Sequence, residues 1–246
     1  MVTLLAALLI AQAHVHDPPA VAKEAPPKLT GSMVDLAGGH AYAAKPGGKP
    51  KGALLVLHEW WGLTDWVKHM ADELAGQGYL ALAVDLYQGK VTSDPDQARQ
   101  LMQSLDEAAG DKIEEAGLEW LKANAGGAKV GTIGWCFGGG QSLRASLNDP
   151  KDVSATVVYY GQPVDDVARL KTLRGPLLGI WGNKDGHFTP EVVNAFDKSL
   201  TDAGVKHEFH RYDAGHGFAN PSSGAYTSEA AKDAWEKTLA FLKAAL

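Results

Sequence analysis

The chain has 246 residues, 45% of them hydrophobic and 21% charged, with a formal net charge of -6. This is ordinary globular composition on a chain long enough for a large core. Its basic residues form no cluster of the kind that grips phosphates, which argues against nucleic-acid binding, and its single cysteine, Cys136, excludes an internal disulfide or a multi-cysteine zinc site.

At the N-terminus, the apolar block Leu4 to Ala11 runs into Ala11-Gln12-Ala13, an A-x-A cleavage pattern. We read residues 1–13 as a secretory signal peptide without the usual basic n-region, and expect a periplasmic or secreted protein. Eight apolar residues are too few to span a bilayer, so the mature chain is expected to have no membrane span. Cleavage after Ala13 would expose His14-Val15-His16, whose amine and third-position histidine can wrap Cu(II) in a square plane. We read these histidines as incidental, and expect neither metal nor cofactor. Residues 14–30 hold four of the twelve prolines and no apolar periodicity, the mark of a linker. A single folded domain is expected over residues 31–246.

Within that domain, "MVDLAGGHAYAAKP" suggests two short strands joined at Gly38-Gly39. "GALLVLHE", Gly52 to Glu59, is a continuous apolar run, as for a strand buried on both faces. A helix is expected around Trp66 to Gln77, then the strand "YLALAVDLY". Residues Pro95 to Asn124 read as helix interrupted at Gly110. "KVGTIGW" is a strand and Gly139 to Leu147 a helix. "VSATVVYYG", "PLLGIWGNKD" and "HEFHRYD" are further strands, and Ser228 to Ala245 a last amphipathic helix. Strands alternating with helices predict a mostly parallel sheet covered on both faces.

In such sheets, functional groups gather at the carboxyl ends of strands. There lies Gly134-Trp135-Cys136-Phe137-Gly138, the G-x-S-x-G nucleophile elbow with cysteine in place of serine. Most free cysteines are inert filler. A cysteine between an apolar strand and a glycine-led helix instead sits at a helix N-terminus, whose partial positive charge favours a thiolate. Asp185 follows the strand "PLLGIW", and His216 follows "EFHRYD". Nucleophile, acid, histidine is the chain order of α/β-hydrolases. In that order His216 is the general base and Asp185 fixes its tautomer. The oxyanion hole is expected to use the backbone N–H of Phe137. Trp60, Trp61, Tyr87, Tyr160 and Phe218 fall near strand ends, where they could line an apolar pocket.

The segments "LVLHEWWGL", "AVDLY", "GTIGWCFGGG", "WGNKDGHFTP" and "YDAGHGFAN" make the chain resemble the dienelactone hydrolase family from residue 32 to its C-terminus. The resemblance implies an α/β-hydrolase fold, a Cys136–His216–Asp185 triad, and hydrolysis of a small-molecule ester or lactone through a thioester. It also implies that Glu59 manages the proton of the resting cysteine, and that Trp60 supplies the second oxyanion N–H. Family members acting on dienelactone hold its carboxylate with arginines after the "DLY" motif and after the catalytic histidine. Here those places hold Gln88 and Asn220, and nearby Lys90 lacks the guanidinium fork. A neutral or differently charged ester, thioester or lactone is therefore expected. Acyl transfer to an alcohol and ligand binding without catalysis are the other activities the same scaffold can carry.

Overall fold

Apolar side chains recur without interruption in the central strands because both faces of each are covered. In a computed structural model that describes residues 28–246, β3 (Ala53–Leu57), β4 (Leu80–Val84) and β5 (Val130–Trp135) are buried at every position. They belong to one eight-stranded sheet with β1 (Ser32–Leu36), β2 (Gly39–Ala44), β6 (Val153–Tyr159), β7 (Leu177–Gly182) and β8 (His207–Tyr212). The spatial order is β1-β2-β4-β3-β5-β6-β7-β8. The pairings β1–β2 and β2–β4 are antiparallel, and every other pairing is parallel.

Successive residues on a strand point to opposite faces. Leu54 and Val56 accordingly join one apolar cluster, with Val67, Ala71 and Leu74 of α1 (Asp65–Gly76). Leu55 and Leu57 join the other, with Leu118 and Leu121. Those two lie on α3 (Glu107–Asn124), which follows α2 (Pro95–Gln103). The remaining helices are α4 (Phe137–Asn148), the short α5 (Val167–Leu170), α6 (Pro190–Ala203) and α7 (Ser228–Ala245). This is the expected α/β architecture.

Three boundaries differ from the sequence reading. The long helical stretch breaks at Ser104–Asp106 rather than at Gly110. Asp106 caps α3 by accepting from the N–H groups of Ala108 and Ala109, whereas Gly110 lies buried inside that helix. Helix α4 begins at Phe137, two residues early, because the chain turns directly out of Cys136. Chain anchoring also starts before residue 31. Leu29 packs on the core, and the N–H groups of Thr30 and Gly31 donate to Asp72 at 2.9 and 3.0 Å. The signal-peptide reading, most of the linker, and His14 and His16 lie outside the described residues.

After β3 the chain runs outward to β4, and it returns across β3 to place β5 on the other side. The carboxyl ends of β3 and β5 therefore flank the point where strand order reverses, the usual location of a ligand crevice.

Candidate active site

Cys136 follows β5 directly and has φ 55° and ψ -120°. A non-glycine residue with such a backbone costs of order 1–3 kcal/mol, so the surroundings must enforce it. Its N–H donates to the Tyr159 carbonyl at 3.0 Å, and its own carbonyl accepts from Gly139 and Gly140 at 3.0 and 3.3 Å. The glycines leave room for this turn. A Cβ on Gly134 would overlap the Gly138 carbonyl, and one on Gly138 would overlap the carbonyls of Leu57 and His58. The end of β3 is thus pressed against the start of α4. Phe137 is the first residue of α4, where backbone N–H groups have no acceptor within the helix. Its ring lies 6.0 Å from that of His58, two residues before Trp60 in the chain.

The loops after β7 and β8 bring Asp185 and His216 together. Asp185 is 3% exposed, and its Oδ2 accepts from His216 Nδ1 at 2.7 Å. Its Oδ1 accepts from the N–H groups of His187 and Phe188 at 2.7 and 3.1 Å. Burial alone would raise the Asp185 carboxyl, but His216 and these two N–H donors outweigh it and hold the group below its ordinary value. Burial likewise opposes the His216 imidazolium. Asp185 and the Cys136 side chain outweigh it and push the pKa up to about 10. With Nδ1 committed to Asp185, Nε2 is the nitrogen left for Cys136. Rings of Tyr160, His187 and Phe188 surround the imidazole at centroid distances of 5.1, 5.4 and 5.9 Å.

Glu59, at the end of β3, is 4% exposed. Burial raises its pKa to about 7, against the lowering influence of Asn220 and of the His216 charge. Asn220 Nδ2 donates to Glu59 Oε2 at 2.6 Å. The backbone beneath is braced by two residues that sequence reasoning passed over. The imidazole of His58 bonds the Glu59 carbonyl through Nδ1 at 2.6 Å and accepts from the Leu86 N–H through Nε2 at 3.1 Å, which requires the neutral Nδ1–H tautomer. Full burial lowers its pKa, in keeping with that neutral form. Asp85 accepts from the N–H groups of Tyr87 and Gly89. The only prior signal for either was a polar residue set beside an apolar run.

The aromatic residues divide. Trp60 and Trp61 are half-buried and meet edge to face at 4.8 Å. Tyr87 stacks on Phe137 at 5.8 Å, and among the described residues its buried hydroxyl has no partner. Tyr160 is fully buried at φ 34°, and the charges of Glu59 and Cys136 reinforce burial in raising its phenol. Phe218 is also fully buried, packing on Tyr160 and Tyr212, so it supports the wall and presents no surface to a ligand. Gln88 (φ 53°) and Lys90 are exposed. Lys90 lines a separate polar cavity of about 500 Å³ with Thr92, Gln97, Gln100 and Ser104; Cys136 is not among its lining residues. Among the described residues, no group of three or more His, Cys, Asp or Glu side chains is placed to hold a metal ion.

Comparison with known proteins identifies the family and the fold. The family model described as "Dienelactone hydrolase family" matches residues 40–246. A Saccharolobus solfataricus protein named "Putative carboxymethylenebutenolidase" is 30% identical, with 82% of this chain and 93% of that protein covered. The protein named "Protein usf" of Aquifex pyrophilus is 32% identical, over 77% of this chain and 87% of its own. The crystal structure titled "Putative Dienelactone Hydrolase" from Klebsiella pneumoniae superposes with a TM-score of 0.77 at 25% identity, over 86% of this chain and 97% of that one. The chain belongs to the dienelactone hydrolase family and is an α/β-fold hydrolase of esters or lactones.

Proposed function

We propose that this protein cleaves a small carboxylic ester or lactone with Cys136 as nucleophile, His216 as base and Asp185 as its orienting acid. The observation carrying the proposal is the 2.7 Å bond from His216 Nδ1 to a buried Asp185, in a site where the only cysteine occupies a strained strand-to-helix turn. In the reactive pair the Cys136 proton is already on His216 Nε2, in keeping with the raised His216 pKa. The sulfur adds as thiolate to the substrate carbonyl carbon, and the carbonyl π pair moves onto oxygen. N–H groups of Phe137 and Trp60 receive the oxyanion. Collapse expels the alkoxide, which takes the proton from His216 and leaves a thioester on Cys136. Water then gives a proton to His216 and adds to the thioester carbon. Departure of the sulfur as thiolate releases the acid and leaves the water proton on His216, restoring the thiolate–imidazolium pair with one water consumed overall. Glu59 exchanges a proton with the resting thiol, so that reactivity is confined to the loaded site and the sulfur is less open to oxidation.

The substrate class follows from charge. The positions after the "DLY" strand and after His216 hold Gln88 and Asn220, and Asn220 is already engaged with Glu59. No guanidinium is offered to a substrate carboxylate there, so an uncharged acyl group is preferred. The test is a panel of neutral and anionic esters and lactones, including p-nitrophenyl acetate, run on the wild type and on Cys136→Ala in parallel. Turnover of neutral members is expected, with loss of all of it in the variant or after iodoacetamide. Full activity in Cys136→Ala would overturn the proposal.

A further inference from the structure

Asn220 lies four residues after His216, on the loop that carries the base, yet its side chain serves Glu59, two residues past the end of β3. Every polar group of the residue is used. Its N–H donates to the Gly217 carbonyl at 3.1 Å, and its own carbonyl accepts from Ser223 at 2.9 Å. Its side-chain Oδ1 accepts from the Ser222 N–H at 2.8 Å. That last bond decides the orientation of the amide: with Oδ1 engaged by a backbone donor, the NH₂ must be the end facing Glu59. It donates to Oε2 at 2.6 Å, and both residues are buried. An oxygen that accepts from an N–H plays the carbonyl part of a carboxyl group. The proton of neutral Glu59 then belongs on Oε1.

We propose that Asn220 is a positioning residue, a neutral amide clamp that holds Glu59 in one orientation and lets it gain and lose a single proton on Oε1. The proposal rests on the reading of Cys136 as nucleophile and Glu59 as its proton partner. A cation in place of the amide would keep Glu59 ionised, and an apolar residue would keep it neutral. The amide stabilises the carboxylate by one hydrogen bond and adds no charge, which leaves burial nearly balanced. The other titratable groups acting on Glu59 are His216 from the loop after β8 and Tyr160 from the end of β6, both of which also interact with Cys136 in the turn after β5. His58, adjacent in the chain, is held neutral by its own bonds.

Because Cys136 is the only cysteine, its rate of alkylation by iodoacetamide reports on this site alone and needs no turnover. In the full-length protein the alkylation rate against pH is expected to carry an inflection near pH 7 from Glu59. Glu59→Gln is expected to remove it. Asn220→Ala is expected to move it upward by about one pH unit, the size of one hydrogen bond to a charged group. Asn220→Asp keeps the shape and the acceptor for Ser222 but substitutes a second acid for the donor, so its shift is expected to be larger. It also keeps the test open if the alanine variant does not fold. Adding Asn220→Ala to Glu59→Gln is expected to change nothing further in the profile. An unmoved inflection in both folded Asn220 variants would overturn the clamp, as would an equal shift in the Glu59→Gln background. Should the inflection move as expected while the wild type turns over no ester, the clamp stands and the hydrolytic reading falls.

Discussion

Asp185 fixes the orientation of the His216 ring and holds the proton on Nδ1. Two backbone N–H groups fill one of its oxygens, so the other is aimed at Nδ1 and has little freedom to turn away. Replacing it by asparagine keeps the shape but removes the charge that sustains the imidazolium. Asp185→Asn is therefore expected to lower kcat by about 10⁴, the scale seen when a triad loses its acid. The His216 pKa, followed by NMR, should fall well below that of the wild type. A variant within tenfold of wild-type kcat would show that the carboxylate does not orient the base. Residues of this kind were legible in the chain because each follows a recognisable strand. The bond between Asn220 and Glu59 was not, since 161 positions separate the partners and nothing in either local sequence announces the other.

At the scale of elements, the elbow is a steric arrangement between β3, β5 and α4. A methyl at residue 138 meets the carbonyl oxygens of Leu57 and His58, which are backbone and cannot rotate aside. Gly138→Ala is expected to cost about 1–3 kcal/mol in urea unfolding, the usual penalty for overpacking. It should also lower kcat, because relief of the clash displaces Phe137 and its N–H from the end of β3. Unchanged stability and rate would mean that the two elements are not held together as described. Glycines flanking the cysteine signalled this turn in the sequence. Gly110 signalled a helix break that does not occur there: Asp106 supplies the cap upstream, and Gly110 lies inside the helix, where an added Cβ would reach Leu105 only at an ordinary contact distance. A glycine marks either freedom or closeness, and composition does not distinguish the two.

For the molecule as a whole, two buried carboxyls contribute to a loss of stability as pH rises. Glu114, on α3, is 2% exposed, and neither of its side-chain oxygens has a partner among the described residues. Burial first, then Asp111 and Asp149, raises its pKa from 4.5 to about 8, against the pull of Arg144. Arg144 is itself engaged by Asp111 at 2.6 and 2.8 Å and by Glu107 at 3.1 Å. An acid whose pKa rises on folding holds an extra proton in the folded state between its two pKa values. Stability therefore falls as pH rises from about 4.5 towards 8, by at most about 1.4 kcal/mol per pH unit for each such group. Glu59 acts in the same direction up to about pH 7. Glu114→Gln is expected to leave the melting temperature unchanged at pH 5 and to raise it at pH 8.5. Parallel melting curves for variant and wild type across that range would show that Glu114 does not titrate between those limits.

The sequence by itself determined the alternation of strands and helices, the position of Cys136 at a strand-to-helix turn, and the order in which Asp185 and His216 follow. These are local properties, written in hydrophobic period, glycine placement and chain order. Only the tertiary structure decided that β3 and β5 lie side by side with their carboxyl ends flanking the reversal of strand order. It also decided that Phe218 is support rather than surface, and that a neutral amide faces Glu59. Those outcomes depend on which distant segments share a boundary. Burial and pairing across the sheet decide that, and no window of neighbouring residues contains it.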